Sequence, residues 1–207
     1  AYTVAAWFKQ EGETTTSPLE HSWQSIITSR SCTGGCRGYM MYLRHRDVEL
    51  HASKLEYWHA TTHNTNWVKI ESSEQSAWKK TGTAAWEFNV IRFNGTDEID
   101  FFLNGSHIGN TSSAHSMNNQ NTDKPTRIGA GRTEGAVMYL FKGKIDDVAI
   151  WDEALTNAEI TELYNNGESL YAKENYGDYT SKDNLTAYYT MDSNNGSGTT
   201  LSDDEGS

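Results

Sequence analysis

Two carboxylates, Glu98 and Asp100, carry the one spacing in this chain that could do covalent chemistry. They stand two apart in EIDFFLNG, and a strand aims side chains two apart at the same side. A close carboxylate pair could act as acid and nucleophile at a glycosidic bond. No other catalytic constellation is present. His21, His45, His51, His59, His63, His107 and His115 include no HExxH, and Gly196-Ser197-Gly198 does not fit the Gly-x-Ser-x-Gly turn of a serine nucleophile.

Binding chemistry has more candidates. Calcium takes hard oxygen ligands from carboxylates, amides and backbone carbonyls on loops, and the adjacent Asp146 and Asp147 could supply them. In a strand only one of the two can face a given side. Aromatic rings stack on sugars while amides and carboxylates take the hydroxyls. Trp23, Tyr57, Trp58, His59 and Trp67 lie in or beside loops, and LEYWHATTHNTNW is the densest such stretch. Its alternative role is an aromatic strand pair covering a core. Trp7, Trp86 and Trp151 lie on strong strand patterns and are expected inside. Cys32 and Cys36, in SCTGGC, lack the further ligands of a zinc framework; a local disulfide and two free thiols are both open. Asn94, Asn104, Asn110, Asn184 and Asn195 begin Asn-x-Ser/Thr sequons, which chance supplies in a chain this rich in Asn, Ser and Thr.

Composition narrows the partners. The net charge is -11, with 17 Lys and Arg against 28 Asp and Glu. Phosphate neutralisation needs clustered cations, so nucleic acid is excluded as a partner, and anionic membranes are repelled. No apolar run approaches the ~20 residues that span a bilayer, so no membrane insertion is expected. The start, AYTVAAWFKQ, lacks a basic leader, and a mature or trimmed piece is expected. Mean hydropathy is -0.73, so a minority of positions must carry the core, with 7 Trp and 11 Tyr among them. Two prolines and 17 glycines among many Asn, Thr and Ser fit short strands joined by turns.

The elements that must position these groups follow from periodicity. Tyr2, Val4, Ala6 and Phe8 alternate with Thr3, Ala5, Trp7 and Lys9 in an opening strand. Further strands are predicted over 25–29, 38–43, 47–51, 55–60 and 67–70. Trp86, Phe88, Val90 and Arg92 share one strand face, and Ile99, Phe101 and Leu103 the next, with turns at Asn94-Gly95 and Asn104-Gly105. Residues 110–126 read as a long polar loop, 127–130 and 137–140 as strands, and Phe141, Ile145, Val148 and Ile150 as another with a bend at Gly143. After Trp151 the period changes to that of a helix near 157–165. Thr156 and Glu159 form a capping box, Ile160, Leu163 and Tyr164 share a face, and Gly167 is the expected stop.

The run Gly143, Ile145, Asp146, Asp147, Val148, Ile150, Trp151, Asp152, Ala154, Leu155, Thr156, Glu159, Ile160, Leu163, Tyr164 resembles the last core strand and helix of laminin-G-like domains in the concanavalin A-like superfamily. Trp86 with its strand, FLNG at 102–105 and YTVAAWFK at 2–9 resemble earlier strands, so the likeness covers most of residues 1–168. It implies an all-β, two-sheet antiparallel jelly-roll sandwich with one short helix. The family's usual first strand and acidic "DG" turn are missing at the front. The tail, 183–207, is similar to that opening segment, which makes Asp192 a third calcium candidate. The domain expectation is therefore a sandwich over 1–168, a linker over 169–183, and 184–207 as the start of a next repeat, a strand completing this sandwich, or one completing a neighbour's.

The superfamily's glucanases carry Glu-x-Asp-x-x-Glu, and here Leu103 stands where the last carboxylate belongs, so no enzyme is expected. The function expected is a carbohydrate-binding or adhesive module of a larger extracellular, cell-surface or virion-surface protein, meeting a glycan or glycoprotein surface. The alternative is a structural assembly unit that self-associates or repeats in tandem. Calcium is the one cofactor expected.

Overall fold

The computed structural model describes residues 1–10, 23–32, 36–45, 53–60, 67–75, 77–78, 85–112, 124–131, 136–169, 171–192, 196–197 and 200–201. The expected strand over 47–51, most of the polar loop, Asn195, His21, His51, His63 and His115 lie outside them. Among the described residues the structure is all-β apart from a single α-helix and short 3-10 turns. Two antiparallel sheets of six and five strands make it a jelly-roll sandwich, and the last two short strands pair as a separate two-stranded sheet.

In chain order the strands are β1 (Tyr2–Gln10), β2 (Trp23–Ser31), β3 (Arg37–His45), β4 (Ser53–Ala60), β5 (Trp67–Glu71), β6 (Glu87–Phe93), β7 (Glu98–Leu103), β8 (Ser106–Ser112), β9 (Arg127–Ile128) and β10 (Gly143–Trp151). Helix α1 (Asn157–Tyr164) follows, then β11 (Leu185–Tyr189), β12 (Gly196–Ser197) and β13 (Thr200–Leu201). The chain divides into two compact units: residues 1–9, 86–110 and 145–207, and residues 10–85 and 111–144.

The first unit holds the sheet β11-β10-β1-β6-β7-β8. Pairing of Ala5 with Val90 and Trp7 with Phe88 puts these four on one face. Phe102, Ala149 and Trp151 join them in a cluster closed by Leu155, Ile160 and Leu163. The helix forms where the capping box predicts: Glu159 N donates to Thr156 Oγ1 at 3.2 Å, and Thr156 N donates to Glu159 Oε2 at 2.9 Å. Tyr164 stacks on Trp7 with ring centroids 5.9 Å apart. The helix ends earlier than expected, because Asn165 takes the left-handed conformation at φ 44° ahead of Gly167; asparagine is the residue after glycine that tolerates it best.

Two polar side chains fix the approach to this helix. Thr3 Oγ1 donates to Glu153 O at 2.8 Å and accepts from Leu155 N at 3.0 Å. Arg92 donates to Leu155 O and Asn157 Oδ1, both at 2.8 Å. The stretch expected as a linker contributes Ala172 and Tyr179 to the cluster, with Tyr179 Oη accepting from Trp151 Nε1 at 2.9 Å and donating to Ala172 O at 2.7 Å. Leu185–Tyr189 pairs antiparallel with β10, so this part of the tail lies on the chain's own sheet. Both Asn-Gly turns form, and a strand the sequence reading passed over, β8, follows the second. Trp86 corrects another expectation. It is 39% exposed because β6 starts one residue later, beyond the reach of the alternation that buries Phe88 and Val90.

The second unit holds the sheet β5-β4-β3-β2-β9. One face carries Ile27, Met41, Leu43, Leu55, Tyr57, His59 and Ile70, all buried. The opposite face carries Trp23, Thr28, Arg30, Met40, Tyr42, Arg44, Glu56, Trp58, Trp67 and Lys69. A bulge at Ser25–Ile27 keeps Trp23 and Thr28 on that same face. The expected strand over 137–140 is instead an irregular segment. Its Met138 makes an isolated bridge to Gly131, and Val137, Met138 and Leu140 are exposed.

Candidate functional site

The polar and aromatic face of the five-stranded sheet holds a cleft of about 150 Å³ lined by Trp23, Arg30, Met40, Tyr42, Trp58, Trp67 and Tyr139. Its floor is organised by Glu56, a fully buried carboxylate. A buried charge is tolerated only when paired and hydrogen-bonded. Glu56 Oε2 accepts from Trp23 Nε1 at 2.8 Å and Trp58 Nε1 at 2.9 Å, while Oε1 meets Arg44 Nη1 at 2.9 Å. One anion thus fixes two indoles in set orientations, with Arg44 also lying 4.8 Å from the Trp23 ring centroid. The Arg30 guanidinium lies 5.1 Å over the Trp67 ring.

Tyr139 closes the cleft from outside the sheet. Its backbone is left-handed at φ 55°, held by a hydrogen bond from Ser25 N to its carbonyl at 2.8 Å. Its ring presses on Gly131 so closely that a Cβ there would lie 2.9 Å from Tyr139 Cδ2. Edge contacts to Trp23 and Tyr42, both at 5.9 Å, complete the wall. Burial raises the Tyr42 hydroxyl pKa, which keeps it a donor, here to Met40 Sδ at 3.1 Å.

Of the five aromatic candidates, the structure brings together Trp23, Trp58 and Trp67. Tyr57 and His59 alternate to the other face of β4 and are 1% and 0% exposed, out of reach of a ligand on the cleft. Strand period separates neighbours that sequence proximity had grouped. The structure bridges Cys32 and Cys36, at the hairpin beside this face.

The three carboxylates proposed for calcium lie in the first unit. Asp147 breaks the strand alternation with φ 45°, and its two oxygens accept from Ser169 Oγ and Tyr188 Oη, each at 2.6 Å. Burial, and then the neighbouring Asp147 charge, push the Asp146 pKa up to about 6. Burial also raises Asp147, and the Asp192 charge adds to both. Among the described residues no three His, Cys, Asp or Glu side chains are grouped to hold one metal ion.

A family model for the concanavalin A-like lectin/glucanases superfamily, of the laminin G kind, matches residues 1–161. The chain belongs to that superfamily. No sequence match to a curated protein was found. Among solved structures the fold is similar to a heptameric SAP-like pentraxin from Limulus polyphemus, at 16% identity and a TM-score of 0.53, covering 79% of this chain and 69% of that one. It is also similar to the CBM40 of Ruminococcus gnavus IT-sialidase bound to α2,3 sialyllactose, at 16% identity and 0.55, covering 79% and 82%. A Bacteroides ovatus protein proposed to bind carbohydrate matches at 17% and 0.59; 98% of this chain spans about half of that one, 49%. At these identities the likeness shows the fold alone.

Within the superfamily the glucanase carboxylates are the obvious comparison. Here Asp100 is 5% exposed. Arg92 Nη2 meets its Oδ2 at 2.9 Å, and His107 Nε2 meets its Oδ1 at 2.9 Å. Glu98 hydrogen-bonds the Asn110 amide. The pair does share a side, as period 2 requires, but it shares it with Phe102 on the face the helix covers. Both members are engaged in holding β6, β7 and β8 together. Among the described residues no helix is long and apolar enough to cross a membrane.

Sequence reasoning missed Arg30, Met40, Tyr42, Glu56 and Tyr139. Strand register was the available signal for the first four: Met40 pairs with Trp58 and Tyr42 with Glu56, so any strand reading that placed Trp58 on a binding face also placed them there. Tyr139 had no such signal.

Proposed function

We propose that this superfamily member is a non-catalytic carbohydrate-binding module that seats a glycan on the Trp23, Trp58 and Trp67 cleft, in a secreted or surface-exposed protein. The observation that carries this is the Glu56 floor. Indoles fixed by one buried carboxylate present rigid apolar faces at low entropic cost, which is what stacking on a pyranose needs. The cleft is smaller than the roughly 300–1,000 Å³ of sites that enclose drug-sized ligands, so it suits one sugar unit with its chain running out to solvent. The sialyllactose-bound CBM40 and the Bacteroides ovatus protein support the class. A disulfide fits an oxidising compartment. The engagement of Glu98 and Asp100 in sheet contacts supports the absence of hydrolysis. Pairing of β11 on its own β10 occupies the segment that assembly by strand exchange would use, which favours the binding module over an assembly unit.

A glycan array followed by titration calorimetry tests the reading. A subset of glycans should bind, and Trp58→Ala should weaken that binding at least about tenfold, roughly the 1.4 kcal/mol of one stacking contact. Trp86→Ala, an exposed indole outside the cleft, should leave it unchanged. Silence across the array would sink the proposal.

A further inference from the structure

The cleft face is charged against the rest of the chain. Directly paired residues on neighbouring strands point to one side, so the registers place Arg30, Arg44, Lys54, Lys69 and Arg127 on the face that carries Trp58. Five of the chain's 17 Lys and Arg residues thus stand there, while only Glu56 and Glu71 of its 28 Asp and Glu do so among the described residues. Both carboxylates already have cations: Glu56 meets Arg44 at 2.9 Å, and Glu71 meets Lys69 at 2.6 Å and Lys54 at 3.6 Å. Among the described residues this face has more cations than carboxylates, on a chain of net charge -11, which serves no need of a neutral sugar. It does offset the repulsion that an acidic ligand would otherwise meet.

Arg30 places one of these cations in the cleft itself. Its guanidinium lies over Trp67 at 5.1 Å, with Nη1 3.4 Å from Met40 Sδ and Nη2 3.7 Å from Cys32 Sγ. The guanidinium is planar and presents its donors as a fork, the geometry that takes a carboxylate or sulfate through two parallel hydrogen bonds.

We propose that the cleft selects acidic glycans, those bearing a carboxylate or a sulfate, with the anion on Arg30 and the sugar ring on the tryptophans. This rests on the carbohydrate-binding reading above. The experiment is calorimetry with three matched probes, lactose, sialyllactose and sulfated lactose, on the wild type, Arg30→Lys and Arg30→Met, with melting curves as a folding check. The wild type should prefer one or both acidic probes by about tenfold over lactose, and raising salt from about 50 to about 300 mM should shrink that preference. Whichever acidic probe binds tighter names the source of the anion. Arg30→Met should bring the acidic-to-neutral affinity ratio close to one, and Arg30→Lys should keep part of it. Lactose binding as tightly as both acidic probes, or an unchanged ratio in Arg30→Met, overturns the proposal while leaving a neutral-glycan module standing. Failure of all three probes together with a silent array removes the carbohydrate reading itself.

Discussion

Tryptophan does two different jobs in this molecule, and the partner of its indole N–H separates them. In the first unit Trp151 donates to Tyr179 Oη, a neutral group that passes the hydrogen bond on to a backbone carbonyl; the ring is 1% exposed. In the second unit Trp23 and Trp58 donate to Glu56, whose charge is balanced by Arg44, and both rings line a cleft. A neutral relay suits a sealed core, because nothing charged has to be desolvated. A buried carboxylate holds its donors more tightly, which suits rings that must stay fixed while one side waits for a ligand. The largest effect should therefore come from the sealed example. Trp151→Ala should cost about 3–5 kcal/mol, read as a shift of the urea midpoint.

Glu56→Gln sharpens the contrast from the other side. The amide oxygen can still accept an indole N–H, but Arg44 loses its counter-charge in a setting where breaking a buried pair costs about 3–5 kcal/mol. Because Arg44 retains some contact with solvent and Glu71 lies 3.9 Å away, the stability loss should fall nearer to about 2 kcal/mol. Glycan affinity should drop along with it, since one amide cannot turn its single oxygen to Arg44 and to the two indoles at once, and whichever side meets the NH2 loses its hold. Unchanged affinity in a folded Glu56→Gln variant would show that the carboxylate supports the sheet without organising the cleft.

The same comparison explains what the sequence made legible. Thr156 and Glu159 announced the helix because capping is local chemistry, and the two Asn-Gly steps announced their turns for the same reason. Trp23, Trp58 and Trp67 could be picked out as aromatics near loops, but the floor under Trp23 and Trp58 went unseen, because Glu56 looks like any strand glutamate until register sets Tyr42 beside it. Tyr57 and His59 were drawn into the candidate set by adjacency, although the period of β4 already argued against them. Tyr139 was beyond reach: a left-handed tyrosine against a glycine eight residues earlier leaves no pattern. In the first unit β8, SHIGNTS, went unseen because an edge strand that is largely exposed on both sides carries no alternation.

The smallest expected effect concerns the carboxylates of the two units. Glu56 is compensated by a cation, whereas Asp146 and Asp147 are raised by burial and by neighbouring carboxylate charge, that of Asp192 included. Burial and mutual repulsion hold the Asp146 pKa at about 6, against 3.8 for an ordinary aspartate, and raise Asp147 as well. In that window the folded chain binds more protons than the unfolded one, so stability should rise as pH falls from 7 through 6 and level off near 4. Glu159 works in the opposite sense. Burial would raise its pKa, but hydrogen bonds from Ser181, Thr156 and Thr180 outweigh burial and lower it. Its contribution is present above the ordinary glutamate range and is lost as pH falls through its lowered value. The two together should place the melting temperature at a maximum between about pH 4.5 and 6. Asp146 is only partly buried, so solvent discounts its share, and the rise from pH 7 to 5 should be about 2 °C or less. Asp146→Asn should flatten that rise and leave the acid limb intact. A melting temperature that falls steadily from pH 7 would mean that the three carboxylates are already compensated, and the contrast with Glu56 would not hold.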